Sequence, residues 1–211
     1  MSDLQSPTRV FLARHGEADY ETDLVTDHGG SLSATGREQA TALARSLRAE
    51  RVARVWCSPL SRAVQTAEIA AAFLGLDVVV REGLREYGVG SLAGTTGDEA
   101  AVIGSVFDAW LAGDDEATID GGERIEDIVR RVADVLAEVA DYHRGESVLV
   151  LSHGGAIMAT VPRLVGLPRA AARELVLPGG GQIGVEHDSE GWRLNPGRRD
   201  TDRTDVPDGV G

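Results

Sequence analysis

Short apolar runs recur along the chain and are bounded by polar or glycine-containing segments. The four clearest runs are RVFLA, RVARVWCS, LDVVVRE and SVLVLS. Apolar runs of this length are typical of strands that are buried on both faces of a parallel sheet. Near the end of the chain, QIGVEHD and WRLN predict two further strands that pair antiparallel.

Segments between these runs place apolar residues three and four positions apart, which predicts helices. In TGREQATALARSL, Thr35 and Glu38 have the spacing of a capping box at a helix start. LSRAVQTAEIAAAFL and GGAIMATVPRLVG predict two more helices. A longer amphipathic helix is predicted by the apolar positions Ile125, Ile128, Val129, Val132, Leu136 and Val139. Between Thr95 and Gly121 the pattern predicts only a short helix, around Ser105 to Leu111.

The alternation of strands and helices predicts an α/β fold. We expect a three-layer α/β/α sandwich, with helices on both faces of a mostly parallel central sheet. The length of 211 residues and the 42% hydrophobic content suit one domain, which we place at residues 1–196. Residues 197–211 are rich in Asp, Arg, Gly and Pro without apolar periodicity, and they are expected to form a disordered tail.

Composition excludes several kinds of function. The formal net charge of −13 disfavours general binding to nucleic acid or to an anionic membrane surface. An apolar run long enough to span a bilayer and a leader sequence are both lacking, so we expect a cytoplasmic protein. The chain contains no lysine, which excludes a Schiff-base or Walker-type lysine. Its single cysteine, Cys57, excludes an intrachain disulfide and is expected to be a small buried side chain.

Cationic side chains and glycines follow several predicted strands at their carboxyl ends, where open α/β sheets bind ligands. They are Arg14, His15 and Gly16 after the first strand, Arg62 after the second, and His153 and Gly154 after SVLVLS. Two guanidiniums can hold a phosphoryl group through bidentate hydrogen bonds. A neutral imidazole is a nucleophile near pH 7, and water can break the resulting N–P bond. Glycines at such positions let the backbone approach a ligand closely.

A carboxyl group suited to proton donation occurs in the loop LREYGVGSLAG, as Glu86. Protonation of a leaving alkoxide requires an acid whose pKa lies near the working pH. Burial would raise the pKa of Glu86, whereas the two arginines would lower it. The sequence leaves open which influence dominates.

Six motifs occur in a fixed order across about residues 8–160: LARHGE, LSATGREQA, CSPLSRAVQTA, LREYGVGSLAG, GGE at 121–123, and LSHGG. This ordered set resembles branch 1 of the histidine phosphatase superfamily, which includes phosphoglycerate mutases and small-molecule phosphatases. The resemblance implies a phosphatase that hydrolyses a small phosphorylated metabolite through a phosphohistidine, without a metal or other cofactor. In that reading His15 is the nucleophile, Arg14 and Arg62 bind the phosphoryl group, His153 completes the pocket, and Glu86 donates the proton.

The chain departs from the family pattern at two positions. Glu21 stands where many relatives have asparagine near the phosphate, and we expect its carboxylate to point away from the ligand. Ala93 replaces a glutamate that is common in the loop after Glu86. Glu17 follows the first motif and is given at most a supporting role.

Three alternative functions remain open: a phosphoglycerate mutase, a phosphoprotein phosphatase and a non-catalytic binder of phosphorylated ligands. A mutase is disfavoured because the segment Gly94 to Asp120 contains no arginine and is rich in acidic residues. We expect the lid at 87–122 to determine specificity and, being acidic, to favour a neutral or cationic substrate moiety. Oligomeric state is open, with a homodimer expected only from the general frequency of two-fold assemblies.

Overall fold

The fold consists of eight strands and five α-helices within the parts of the chain that a computed structural model describes, residues 6–26, 28–96 and 100–199. The strands are β1 (Thr8–Arg14), β2 (Ala18–Asp19), β3 (Ser31–Leu32), β4 (Val52–Cys57), β5 (Val78–Val80), β6 (Ser147–Ser152), β7 (Gln182–Asp188) and β8 (Gly191–Arg199). The α-helices are α1 (Ala34–Ser46), α2 (Ser61–Leu74), α3 (Ala100–Leu111), α4 (Ile125–Tyr142) and α5 (Gly154–Leu164). Short 3₁₀ helices span Glu82–Leu84, Gly90–Leu92 and Arg169–Glu174.

Six strands form the central sheet in the order β5-β4-β6-β1-β7-β8. Strands β5, β4, β6 and β1 are parallel to one another. Strand β7 pairs antiparallel with β1, and β8 pairs antiparallel with β7. Strands β2 and β3 pair separately, beside the loop that follows β1. The predicted three-layer α/β/α sandwich with a mostly parallel sheet is confirmed.

Alternate side chains of the sheet pack into two cores on its opposite faces. Phe11 and Ala13 of β1 pack with apolar residues of α1 and α2. Val10 and Leu12 face the other way, toward α4 and α5. The predicted apolar positions of α4, from Ile125 to Val139, are all buried there. Both faces of β1 are thus fixed by packing, which holds the end of this strand in place.

Helix α1 begins earlier than the predicted capping box implies. Its N-cap is Ser33, whose hydroxyl oxygen accepts a hydrogen bond from the amide of Gly36 at 3.0 Å. Thr35 already lies inside the first turn, so the capping box of Thr35 and Glu38 is wrong. Ser33 provides the N-cap hydrogen bond two residues earlier in the chain than Thr35 would.

Two other elements are longer than their patterns predict. Helix α3 starts at Ala100 rather than near Ser105, and its Ile103 packs against the apolar cluster around Leu92. Strand β8 runs to Arg199, opposite Ile183, so it includes the first three residues of the predicted tail. The remainder, residues 200–211, lies outside the described residues.

Cys57 is fully buried at the end of β4, as expected. Burial raises the pKa of its thiol to about 12, with a smaller contribution from the charge of Glu68. The thiol is therefore neutral and unreactive near pH 7. Among the helices in the described ranges, none is both long and apolar enough to cross a membrane.

The loop after β1 packs backbone to backbone on the first turn of α1. A Cβ on Gly36 would lie 2.0 Å from the carbonyl oxygen of Glu17, and one on Gly16 would lie 2.4 Å from the carbonyl oxygen of Gly36. No side chain fits into this contact. The two glycines therefore allow α1 to support the loop directly.

We predict that Gly36→Ala lowers the free energy of unfolding by about 1–3 kcal/mol, because the added methyl group forces the loop away from α1. Gly104 is the matched control, since it lies inside α3 and a Cβ there meets no atom within 4 Å. Gly104→Ala should stabilise the protein by about 0.4–1 kcal/mol. Urea denaturation measures both, and equal shifts in the two variants would contradict the close contact.

Candidate active site

Three parallel strands end side by side at one edge of the sheet. Arg14 in β1 lies opposite Ser152 in β6. Beyond these strands the ladder continues: the amide of His15 donates to the carbonyl of Ser152 at 3.1 Å, and the amide of Ser58 donates to that of Leu151 at 3.0 Å. The segments that follow β1, β4 and β6 therefore meet, as the sequence analysis expected.

His15 lies at the centre of this edge and is only 6% exposed. Its Nδ1 is 2.6 Å from the carbonyl oxygen of Gly16, which can only accept, so Nδ1 carries the proton. Nε2 accepts from Nε of Arg62 at 3.2 Å. The two neighbours thus fix one tautomer. Burial lowers the pKa of His15 to about 4, and the charges of Arg62 and Arg14 contribute, against the raising effect of the Gly16 hydrogen bond. Neutral imidazole with its lone pair on Nε2 is the form present at pH 7.

The two arginines approach His15 from different elements. Arg62, in the first turn of α2, is 2% exposed, and its Nη1 donates to the carbonyl of Gly29 at 2.9 Å. Nη1 of Arg14 donates to the carbonyl of Leu177 at 2.9 Å. Nε of Arg14 is buried without a hydrogen-bond partner among the described residues. One guanidinium donor is therefore left for a ligand.

His153 packs beneath His15, with ring centroids 5.0 Å apart, and is fully buried. Its Nε2 lies 2.8 Å from the hydroxyl oxygen of Ser58. Its Nδ1 is buried and has no partner in the described part of the chain. Burial lowers the pKa of His153 well below its usual value, assisted by His15 and the nearby arginines. His153 is thus a neutral ring with one uncommitted polar atom.

Glu86 reaches this edge from the loop after β5 and lies at the N-terminus of α5. Its Oε1 accepts from the amides of Ala156 at 2.8 Å and Tyr87 at 3.2 Å, and its Oε2 accepts from Gly155 at 3.1 Å. Burial raises the pKa of Glu86, against the lowering effects of these three amides and of Arg62. The pKa of Glu86 is therefore raised, which answers the question that the sequence left open. The carboxyl group stays protonated to a higher pH than an ordinary glutamate does.

Arg131 holds the backbone of the loop that carries Glu86. This side chain of α4 donates to three carbonyls: Nη1 to Gly83 at 2.9 Å and Arg85 at 2.7 Å, and Nη2 to Glu86 at 3.1 Å. Nε and Nη2 also pair with both carboxylate oxygens of Glu123, at 2.8 and 2.9 Å. Sequence reasoning missed Arg131, although Glu123 belongs to the recognised GGE motif. Its partners are distant along the chain, and only the fold brings them together.

A tight turn at residues 178–182 supports the backbone of the site. The amide of Gly181 donates to the carbonyl of Pro178 at 2.9 Å, which closes the turn. The amide of Gly180 lies 3.2 Å from the carbonyls of both Arg14 and His15. The turn therefore fixes the backbone of the candidate phosphate-binding residues.

The space around the glycine differs at three positions of the site. Gly16 packs against the first turn of α1, as described above. A Cβ on Gly154 would make only an ordinary contact, 3.5 Å from Nε of Arg14. At Gly155 a Cβ would lie 2.5 Å from the Tyr87 ring and 2.9 Å from Oε1 of Glu86. Gly155, which sequence reasoning passed over, is thus the residue that admits the acid loop to α5.

Two acidic residues in or near the first motif accept hydrogen bonds from hydroxyl or backbone groups. Glu17 is exposed and accepts from the hydroxyl of Ser33, the N-cap of α1, at 2.7 Å. Glu21 accepts from the amide of Gly30 at 3.3 Å and does not line the cleft at His15. The structure therefore places Glu21 away from the centre, in keeping with the expectation.

A cleft of about 360 Å³ opens above the centre. Its floor contains Arg14, His15, Arg62 and Glu86. Its walls are Tyr20, Thr22, Asp23, Leu24, Val25, Thr26, Tyr87, Val89 and Ile103. This volume is at the lower end of the range for small-molecule pockets.

Several acidic residues of the lid lie in ion pairs rather than in this cleft. The pairs are Asp108 with Arg173, Asp115 with Arg169, and Glu116 with Arg124. These three carboxylates do not line the cleft, so the acidic surface expected above the substrate is not formed by them. Asp98 and Glu99 lie outside the described residues.

The arrangement combines a neutral imidazole, two guanidiniums and a carboxyl group in one partly enclosed site. Guanidiniums stabilise the charge that develops on a transferred phosphoryl group, and the carboxyl group can move a proton. Within the described ranges, no group of three or more His, Cys, Asp or Glu side chains is placed to hold a metal ion. The chemistry available to these residues is phosphoryl transfer.

Comparison with known proteins gives concordant results. Residues 10–196 match the family model of the histidine phosphatase superfamily, branch 1. A phosphoglycerate mutase-like protein from Arabidopsis thaliana is 30% identical over 191 residues, which cover 88% of this chain and 82% of that protein.

Solved structures are similar over comparable lengths. A mycobacterial glucosyl-3-phosphoglycerate phosphatase, solved in complex with VO3, is 28% identical, with a TM-score of 0.75 over 89% of this chain and 96% of that one. The alpha-ribazole phosphatase from Shigella flexneri is 26% identical, with a TM-score of 0.71 over 88% and 94%. With a family match that covers most of the chain, the protein belongs to branch 1 of the histidine phosphatase superfamily and is an enzyme of the phosphatase class.

Proposed function

We propose that this protein is a metal-independent phosphatase that hydrolyses a small phosphomonoester through a phosphohistidine on His15. One observation carries the proposal: close to His15, whose lone pair is fixed on Nε2, two buried polar atoms have no hydrogen-bond partner in the described structure. Nε of Arg14 and Nδ1 of His153 are both buried without a hydrogen bond in the described structure. Since buried polar atoms are almost always satisfied, a bound phosphoryl group is the natural partner.

In the first step, Nε2 of His15 attacks phosphorus and an N–P bond forms as the P–O ester bond breaks. The electron pair of the broken bond passes to the leaving oxygen, which takes the proton of Glu86. Nε of Arg62, which donates to Nε2 of His15 before the substrate binds, turns to a phosphoryl oxygen. The Nδ1 proton stays on its hydrogen bond to Gly16 and stabilises the positive ring of the intermediate.

In the second step, water attacks phosphorus and gives a proton to the carboxylate of Glu86. The N–P bond breaks, its electron pair returns to Nε2, and inorganic phosphate leaves. Each turnover thus converts ester and water into alcohol and phosphate, and His15 and Glu86 recover their starting forms. Two guanidiniums supply the positive charge for this chemistry.

The relatives support hydrolysis of small substrates. Two of the similar solved proteins are named as phosphatases of glucosyl-3-phosphoglycerate and of alpha-ribazole, and the first was also solved with inorganic phosphate. The phosphoglycerate mutase-like relative keeps the mutase reaction as the alternative.

Replacement of the nucleophile should abolish the reaction. We expect the native protein to hydrolyse an aryl phosphate in excess EDTA and His15→Ala to lose about 10³-fold or more of kcat/KM. His187→Ala is the matched control, because His187 lies on β7 and stacks on Trp192 away from the cleft. Full activity of His15→Ala, or loss of native activity in EDTA alone, would contradict the proposal.

Replacement of the acid should separate substrates by their leaving groups. Glu86→Gln should lose about 10²–10⁴-fold of kcat on an alkyl phosphate but far less on an aryl phosphate, whose leaving group needs little protonation. Glu86 must be protonated, so native activity on the alkyl substrate falls as pH rises through the raised pKa of Glu86.

In Glu86→Gln the residual activity on the alkyl phosphate should no longer show that alkaline fall. The acidic fall should remain, because protonation of His15 near its pKa of about 4 removes the nucleophile. A pH series of kcat/KM on both substrates measures these limbs. Equal losses on the two substrates would remove Glu86 from the proton-donor role.

Arg131 should act as a positioning residue for Glu86. Arg131→Gln and Glu123→Gln should each lower kcat on the alkyl phosphate about 10-fold or more, and should move the alkaline limb of its pH profile. Arg130→Gln is the control, because Arg130 is the adjacent residue and pairs with Asp127 on the exposed face. Equal losses on alkyl and aryl phosphates with an unchanged pH profile would indicate a structural role alone.

A further inference from the structure

We propose that the alcohol moiety of the substrate is uncharged, so that the enzyme acts on monoesters whose only anionic group is the phosphate. This inference rests on the proposed function, and it concerns the part of the cleft beyond the phosphoryl group. The cleft is lined by thirteen residues, and only two of them, Arg14 and Arg62, are cationic. Both are committed to the centre by their contacts with His15 or its neighbours.

The walls offer a second anion no cationic partner. Aliphatic and aromatic side chains form much of the surface, and the hydroxyls of Tyr20, Thr22, Thr26 and Tyr87 add neutral polar groups. The one charged side chain of the walls is the carboxylate of Asp23. A substrate carboxylate placed here would lose water and lie near a like charge, which disfavours it.

Tyr87 contributes a neutral hydroxyl group to the wall of the cleft. Its ring packs edge-on against Phe107 at a centroid distance of 5.3 Å and covers Gly155. Burial raises the pKa of the Tyr87 phenol, and the nearby Glu86 and Tyr20 raise it further. The phenol is therefore a neutral hydrogen-bond donor beside the acid, suited to a hydroxyl or ether oxygen of the alcohol.

Arginines near the cleft are used elsewhere. Arg85 pairs with Glu82 and contacts His28. Together with Arg131 it lines a second cavity, on the other side of Glu86, and it is not among the residues that line the cleft. The internal segments outside the described ranges, residue 27 and residues 97–99, contain three acidic residues and no basic one.

The consequence is a difference from relatives named for phosphoglycerate. Phosphoglycerate carries a carboxylate on the same short carbon chain as the phosphate, whereas the walls of this cleft consist of apolar side chains, hydroxyl groups and the carboxylate of Asp23. We therefore expect this enzyme to reject phosphoglycerate while it accepts the corresponding neutral alcohol phosphate.

Two matched pairs of substrates test the inference. Glycerol 3-phosphate and 3-phosphoglycerate share one carbon skeleton and differ in a hydroxymethyl group against a carboxylate. Phenyl phosphate and 4-carboxyphenyl phosphate differ by the carboxylate alone, and the acidic member has the better leaving group. The neutral member of each pair should have a kcat/KM about tenfold or more above that of the acidic member.

Charge reversal at the cleft should then change the ratio within each pair. Asp23→Arg should raise kcat/KM for the acidic members relative to the neutral ones by about fivefold or more, and Asp23→Asn by less. Asp134→Arg, at an exposed position of α4, is the control for net charge and should leave the ratio unchanged. Added salt should weaken the effect of Asp23, since the side chain is exposed.

The outcomes separate this inference from the proposed function. Equal or better hydrolysis of the acidic members, with retained dependence on His15, would overturn the neutral-alcohol inference and leave the phosphatase intact. An equal response to Asp23→Arg and Asp134→Arg would also overturn it. Absence of EDTA-resistant, His15-dependent hydrolysis of all four esters would refute the proposed function, and this inference with it.

Discussion

The parallel register of β4, β6 and β1 is the constraint on which the active site depends. These strands are neighbours in the sheet although β6 comes almost a hundred residues after β4, so three distant segments end at one edge. Packing on both faces fixes the strands, and the ladder continues through the amides of His15 and Ser58. His15 and His153 thus lie directly beyond buried strands, and the position of the two rings is inherited from the most rigid part of the fold.

Burial prepares the two proposed reacting groups in the same way. Removal from water favours the neutral form of any titratable group, so it lowers the pKa of His15 and raises that of Glu86. A free imidazole and a protonated carboxyl are the forms that the first step needs. The arginines reinforce the effect on His15 and oppose it on Glu86, and the amides at the start of α5 oppose it further. Desolvation is the larger influence at both groups.

Strand ends and helical faces could be predicted from the sequence, because they depend on local patterns of hydrophobicity. Arg14, His15 and His153 could be predicted as site residues for the same reason, because each lies at or just after the end of an apolar run. The contacts of Arg131 and of the turn at 178–182 could not be predicted. They join backbone carbonyls to groups far along the chain, and no local pattern indicates them. The positions of the acidic lid side chains could not be predicted for the same reason. Asp115 and Glu116 pair with Arg169 and Arg124, and the sequence gives no local signal for these pairs.

The hydrogen bonds between Glu86 and the first amides of α5 couple the helix to the protonation state of this carboxyl group. A carboxylate satisfies the free amides of Gly155 and Ala156 better than a protonated carboxyl does, and it also meets the positive end of the helix dipole. Loss of the proton therefore tightens the loop onto the helix, and its return loosens the same contact. In the proposed cycle, transfer of this proton to the leaving group would strengthen the contact between the Glu86 loop and α5, so the ordering of the loop would be thermodynamically linked to the chemical state of the site.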